Sequence, residues 1–153
     1  CFPAAVLVIV VNSNDELLLF SRNPDEWVIL AGAVEANETI RDAAYRELRE
    51  EAGDDLSAQA VGVAHAHTFH YDEAVQGMIS LYYVMRYECG DIRPGSDMSG
   101  ADYRWWALRE LKKSPRKLAI PRHQVWILER AVALARSFHD QEVALEYFVE
   151  GDG

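Results

Sequence analysis

The chain is short of cysteine, of basic residues and of long apolar runs, and each shortage removes a class of function. Its 153 residues contain only two cysteines, Cys1 and Cys89. So few thiols build neither a disulfide framework nor a thiolate metal cluster, and the expected setting is a reducing cytoplasm. Lys and Arg number 15 against 25 Asp and Glu, a net charge of −10. A chain this acidic is not expected to hold nucleic acid or an anionic membrane by bulk attraction. The longest apolar run, AAVLVIVV at 4–11, is strand-sized, whereas a membrane span needs roughly 20 residues. The opening CFPAAV has no basic region and does not read as a signal peptide. No repeat, low-complexity tract or linker divides the chain, so residues 1–153 are expected to form a single domain.

What is present alternates in period. The run 4–11 reads as a strand buried on both faces. NSND at 12–15 is turn chemistry, and ELLLFSR at 16–22 returns as a hairpin partner. WVIL at 27–30 reads as a third strand, followed by a loop of small residues, AGA. Thr39 and Asp42 then resemble a capping box, and Ile40, Ala44, Leu48 and Ala52 make one apolar stripe. Gly53 stands where a helix C-terminal cap is expected, so the spacing predicts a helix over 39–52. Strands follow at 57–70 and 76–87, a polar loop at 88–102, and a strand at 103–108. A short helix opens near 109–111, and a longer one covers 121–141 with Pro121 in its first turn. The order implies an α+β fold, a mixed sheet flanked by helices as an α/β/α sandwich.

The helix poses the functional question. Glu47, Glu50 and Glu51 stand three and four residues apart and project to one side, about a right angle from the apolar stripe. An acidic helix laced with Arg41, Arg46 and Arg49 is ordinarily a solvated face. Three like charges there repel, and a divalent cation offsets that repulsion better than neighbouring arginines do. The wider spacing decides between these readings. Gly32, then Glu38, then Arg46-Glu47-Leu48-x-Glu50-Glu51-x-Gly53 resembles the signature of the Nudix hydrolase family. Seven identities at set spacing arise by chance in roughly one such chain per 10⁶. Two positions depart from the pattern. Asp54 stands where an aliphatic residue is usual, with Leu56 the nearest substitute, and Leu30-Ala31-Gly32 replaces the frequent Pro-Gly-Gly.

The resemblance implies a metal-dependent enzyme that hydrolyses a pyrophosphate bond in a nucleoside diphosphate linked to another group, by water attack on phosphorus. It implies Mg²⁺ or Mn²⁺ held by Glu47, Glu50 and Glu51, with the Ala31 carbonyl as a further ligand. Glu50 or Glu51 orients or deprotonates the water, and Glu73, Asp97 and Asp102 are further candidates from later polar stretches. Gly32, Glu38, Arg46 and Gly53 support the motif, with Arg46 pointing off the metal face and pairing with acidic groups. Arg22 is a candidate phosphate contact, and Tyr71 a weaker substrate contact suggestive of dinucleoside polyphosphates. Nearby prolines are lacking, which disfavours ADP-ribose. The expected partner is a small nucleotide; monomer and homodimer both stand open, because the C-terminal helix can pack on its own domain or on a second copy.

Two features are weighed and set lower. His65 and His67 share one strand face, but a zinc site needs a third ligand at a recognisable spacing, and none is present. Trp27, Trp105, Trp106 and Trp126 are expected mostly in the core. A Nudix-fold module that binds a nucleotide without turnover is the main alternative, though all the signature glutamates are kept. An isomerase of the same fold would need a catalytic cysteine in a matching motif, which Cys89 lacks.

Overall fold

The computed structural model describes residues 3–23, 25–113 and 125–138. In chain order these form β1 (Ala4–Val11), β2 (Glu16–Asn23), β3 (Glu26–Val28), β4 (Leu30–Ala33), α1 (Ile40–Ala52), β5 (Ser57–Phe69) and β6 (Met78–Cys89). A single 3₁₀ turn (Ser96–Met98) precedes β7 (Asp102–Ala107), α2 (Leu108–Lys113) and α3 (Val125–Ser137). None of the described helices is long and apolar enough to cross a membrane. Pro121 and residues 139–141, expected at the ends of the last helix, lie outside the described residues.

β1 organises the molecule because both of its faces are apolar. Val6, Val8 and Val10 pack with Ala43, Ala44, Leu48 and Ala52 of α1. The alternate residues Leu7, Ile9 and Val11 pack with Ile127, Leu128, Ala131, Val132 and Ala135 of α3. One helix therefore closes each face of the sheet, which is the expected sandwich, and α3 packs on its own domain. The sheet has seven strands in the order β3-β2-β1-β6-β5, with β4 also paired to β1 and β7 to β2. It is mixed: β1 runs parallel to β6 over Ala4↔Ile79 to Val11↔Arg86 and antiparallel to β4.

Local chemistry explains the boundaries. Asn12 Oδ1 accepts from the backbone N–H of Asn14 and of Glu16, closing the β1–β2 turn. Thr39 accepts from the Asp42 N–H at 3.0 Å while Asp42 accepts from the Thr39 N–H, so the capping box forms. Gly53 closes α1 at φ 103°, a backbone region that glycine enters freely, and its N–H donates to the Arg49 carbonyl.

One expectation is overturned here. The small-residue stretch AGA is not a loop but most of β4, and the expected strand at 27–30 is split between β3 and β4. Leu30, Ala31, Gly32 and Ala33 have little strand preference of their own. Their conformation comes from pairing with Val8, Leu7, Val6 and Ala5 of β1, a case of tertiary context overriding propensity.

Candidate active site

β4 and α1 meet at Gly32, and the contact is a matter of space. A Cβ built on Gly32 would lie 1.8 Å from Glu47 Oε1 and 2.5 Å from Oε2. The glycine thus leaves room for a carboxylate laid directly over the strand. Glu47 and Glu51 are both only 6% exposed, whereas the Glu50 side chain is 47% exposed. The three glutamates share a side of α1 but not an environment, because Glu47 and Glu51 lie next to the buried Ala43, Ala44 and Leu48.

Arg46 gathers the acidic groups. Its guanidinium donates to Glu38 through Nη2 at 2.7 Å and Nε at 3.1 Å. Nη1 reaches Glu47 Oε1 at 2.7 Å and Glu50 Oε2 at 3.4 Å, and Nη2 also donates to the Ala33 carbonyl at 2.8 Å. The side chain is therefore not turned off the glutamate face, as its helix position suggested. A long guanidinium bridges back to i+1 and i+4 while still holding Glu38. Its hydrogen bonds hold the Glu38 carboxyl below the usual range.

The two buried glutamates behave differently from Glu38. Burial pushes the Glu47 carboxyl up, with Arg46 opposing. Burial also pushes Glu51 up, followed by the charges of Asp97, Glu47 and Glu50, with Arg22 opposing. Glu51 Oε2 is buried and has no hydrogen-bond partner among the described residues. A buried carboxylate oxygen without a partner is costly and suits a hard cation. Among the described residues, however, no three His, Cys, Asp or Glu side chains already stand together as an ion cage.

The loop after β6 completes the site. The Arg93 N–H donates to the Ala52 carbonyl at 2.7 Å, and the Gly95 N–H to the Glu51 carbonyl at 3.2 Å. These bonds close the free carbonyls at the end of α1 and set the turn Ser96–Met98 beside Glu51. Asp97 of that turn lines a cleft of about 240 Å³ with Arg22, Asn23, Glu26, Val28 and Met98. Arg22, at the exposed end of β2, thus shares this cleft with Asp97, and its charge opposes the upward shift of Glu51. Ala31 is exposed on β4 opposite Leu7. Glu73 lies in the exposed connection between β5 and β6. Asp102 pairs with Ser21 on β7, one residue out of step with Phe20 and Tyr103. Phe20 belongs to the α1 side, so Asp102 takes the opposite face. Sequence reasoning named Asp97 but could not separate it from these two, because the bonds that dock its turn are backbone bonds between distant segments. Asp54 is exposed after the cap, and Leu56 is buried in the α1-side core where the motif's aliphatic residue is usual.

The rings of β5 form a separate row. His65 lies 5.3 Å from His67 and 4.7 Å from Trp126, His67 lies 6.1 Å from Phe69, and Phe69 lies 6.3 Å from Tyr71. Tyr71 and Trp126 are largely exposed, and Trp106 is buried against Trp27. Burial, then His67 and Arg130, lower the His65 pKa below 6.5. The folded chain therefore favours neutral imidazole, so His65's contribution to stability is complete above pH 6.5 and is lost as pH falls through the lowered folded value. His65→Gln is expected to flatten this loss, read as urea midpoints across that window. An unchanged slope would contradict it.

A family model described as NUDIX domain matches residues 2–128. A segment of 47 residues is 49% identical to an RNA pyrophosphohydrolase of Halorhodospira halophila, covering 29% of this chain and 26% of the relative, so the match spans about a quarter of that protein. Among solved structures, a NUDIX hydrolase from Nitrosomonas europaea superposes with a TM-score of 0.66 at 17% identity, covering 87% of this chain and 90% of its own. A structure from Jonesia denitrificans, described as a possible asymmetric diadenosine tetraphosphate hydrolase, gives 0.68 at 15% identity over 92% and 99%. At these identities the structural likeness speaks for the fold.

Proposed function

The chain belongs to the NUDIX domain family, and on that premise we propose that it hydrolyses a pyrophosphate bond in a nucleoside diphosphate linked to a further group. The observation that carries this reading is the buried, partnerless oxygen of Glu51 one helical turn from the equally buried Glu47, on the helix end to which the turn bearing Asp97 is tied. An acidic helix that served only as a solvated face would not bury two of its carboxylates.

The donor set suits Mg²⁺ or Mn²⁺, which take carboxylate oxygens together with substrate phosphates. Glu47, Glu50 and Glu51 would hold the ions, with the Ala31 carbonyl as a further donor. Such ions neutralise phosphate oxygens and make the attacking water more acidic. Arg46 now draws Glu47 and Glu50 toward itself, so loading would turn these two carboxylates toward Glu51. Arg22 would meet a phosphate. For the proton acceptor, Glu50 and Glu51 are favoured over Glu73, which lies in the exposed β5–β6 connection, and Asp102, which takes the opposite sheet face. The net charge of −10 weighs against RNA, the substrate class in the curated relative's name. A reducing cytoplasm remains the proposed setting, with Cys89 exposed as a free thiol.

The test is product analysis on a panel of nucleotides with Mg²⁺, including a short RNA with a 5′ triphosphate. Release of a phosphate-containing product supports the reading. No turnover on any member would leave a nucleotide-binding module instead. Mg²⁺ should also raise the melting temperature, since an ion held by the folded site alone stabilises it.

Gly32→Ala tests the placement of Glu47. The new Cβ overlaps the end of a flexible side chain, so stability should fall by only about 1 kcal/mol. The displaced carboxylate should lower kcat about tenfold. Unchanged kcat at saturating Mg²⁺ would show that the overlay of Glu47 on β4 is not needed.

A further inference from the structure

The cleft beside Glu51 has a composition that says what enters it. Its charged lining is one guanidinium, Arg22, and two carboxylates, Glu26 and Asp97, with Asn23 between them in character. Val28 and Met98 supply the apolar part, and both also pack against the α1-side core. The turn that carries Asp97 is tied to α1 through the Gly95 N–H on the Glu51 carbonyl at 3.2 Å, so the cleft lies beside the end of α1 that bears Glu50 and Glu51.

Charge sets the first limit. One guanidinium matches one phosphate, and a chain of three or more phosphates extended into this cleft would meet Glu26 and Asp97 as like charges. Arg46 adds nothing there, because it is engaged by Glu38, Glu47 and Glu50. Size sets the second limit. About 240 Å³ falls below the range of roughly 300–1,000 Å³ for drug-sized ligands. The space suits a single ring and not a second nucleoside. The lining groups set the third. Ionised carboxylates only accept hydrogen bonds, so they suit a neutral group rich in hydroxyl donors, and Val28 and Met98 suit its C–H faces.

We propose that this cleft receives a sugar, so that the substrate is a nucleoside diphosphate sugar rather than a nucleoside triphosphate or a dinucleoside polyphosphate. This rests on the hydrolase reading above for the position of the scissile bond, but the cleft is tested by binding as well as by turnover. Glu26 and Asp97 accept the sugar hydroxyls, and Arg22 holds the sugar-side phosphate.

The experiment uses the full chain with Glu51→Gln to suppress turnover. Titration calorimetry with Mg²⁺ compares UDP-glucose, UDP, UTP and a diadenosine tetraphosphate. UDP-glucose should bind about tenfold more tightly than UDP, the gain expected of charge-assisted hydrogen bonds. Glu26→Gln and Asp97→Asn, each added to that background, should remove most of this gain, read as the ratio of UDP-glucose to UDP affinity. Glu26→Lys should reverse the preference toward UTP by about tenfold. Equal binding of UDP and UDP-glucose, tighter binding of UTP or the tetraphosphate by the parent, or equal loss for UDP and UDP-glucose in both variants would overturn the proposal. In parallel, turnover by the unaltered chain is measured on the same compounds. Sugar-dependent binding without any turnover would uphold the cleft and remove the hydrolase reading. Preferred turnover of UTP would do the opposite.

Discussion

Glu51→Gln is expected to lower kcat by a factor on the order of 10³ while leaving the chain folded. The two halves of this expectation come from one fact. Glu51 is 6% exposed, one of its oxygens has no hydrogen-bond partner among the described residues, and burial disfavours its charged form. Such a group weakens the fold unless a cation or substrate is present. Gln keeps the shape and removes the charge. Without divalent ions, the variant's melting temperature should equal that of the parent or exceed it by a few degrees. The rise on adding Mg²⁺ should shrink sharply. The measurements are phosphate release on the best substrate and thermal melts with and without Mg²⁺. Turnover within threefold of the parent would remove Glu51 from the chemistry. A large loss of stability without metal would instead mark it as part of the scaffold.

Arg46→Ala is expected to cost about 2–4 kcal/mol of stability and to reduce kcat on the order of 10²-fold. The stability loss comes mainly from Glu47 and Glu38. Their side chains are nearly covered, and each is held at 2.7 Å by this one guanidinium. Glu50 and Glu35 are far more exposed and add little. Without Arg46, Glu47 is left nearly covered and with an unmatched charge. Arg46→Lys should be intermediate, since an ammonium keeps the charge but cannot span Glu38, Glu47 and the Ala33 carbonyl at once. Arg49→Ala, an exposed arginine on the same helix, should change stability by no more than about 0.5 kcal/mol. Urea denaturation of the three variants checks the series. Equal effects at 46 and 49 would mean that helix charge alone, and not this set of contacts, governs stability.

Both predictions turn on burial that could not be read along the sequence. α1 was legible at its ends because Thr39, Asp42 and Gly53 act within a few residues of themselves. An acidic helix ordinarily reads as a solvated face, yet Glu47 and Glu51 are buried, and the fold is expected to survive Glu51→Gln through the relief of an uncompensated charge. Their burial depends on β4, whose conformation comes from β1 and not from LAGA itself. The flanking helices and mixed sheet followed from the order of elements. The parallel pairing of β1 with β6 did not, since it joins segments more than 60 residues apart and leaves no local trace. Likewise, nothing near Asp97 in the sequence announces that its turn is fastened to α1. The apolar role of Leu56, two positions past the motif's usual site, was visible in advance because a buried aliphatic residue is recognisable by type.

That fastening has a kinetic meaning. The amides of Arg93 and Gly95 are tied to the last carbonyls of α1, so they can exchange with solvent only when that end of the helix opens. Their hydrogen-exchange protection should therefore match the final turn of α1 and exceed that of the remaining loop amides. The helix end and the loop that walls the cleft would then open as one cooperative unit, and ligands would enter by side-chain rotation and not by a swinging loop.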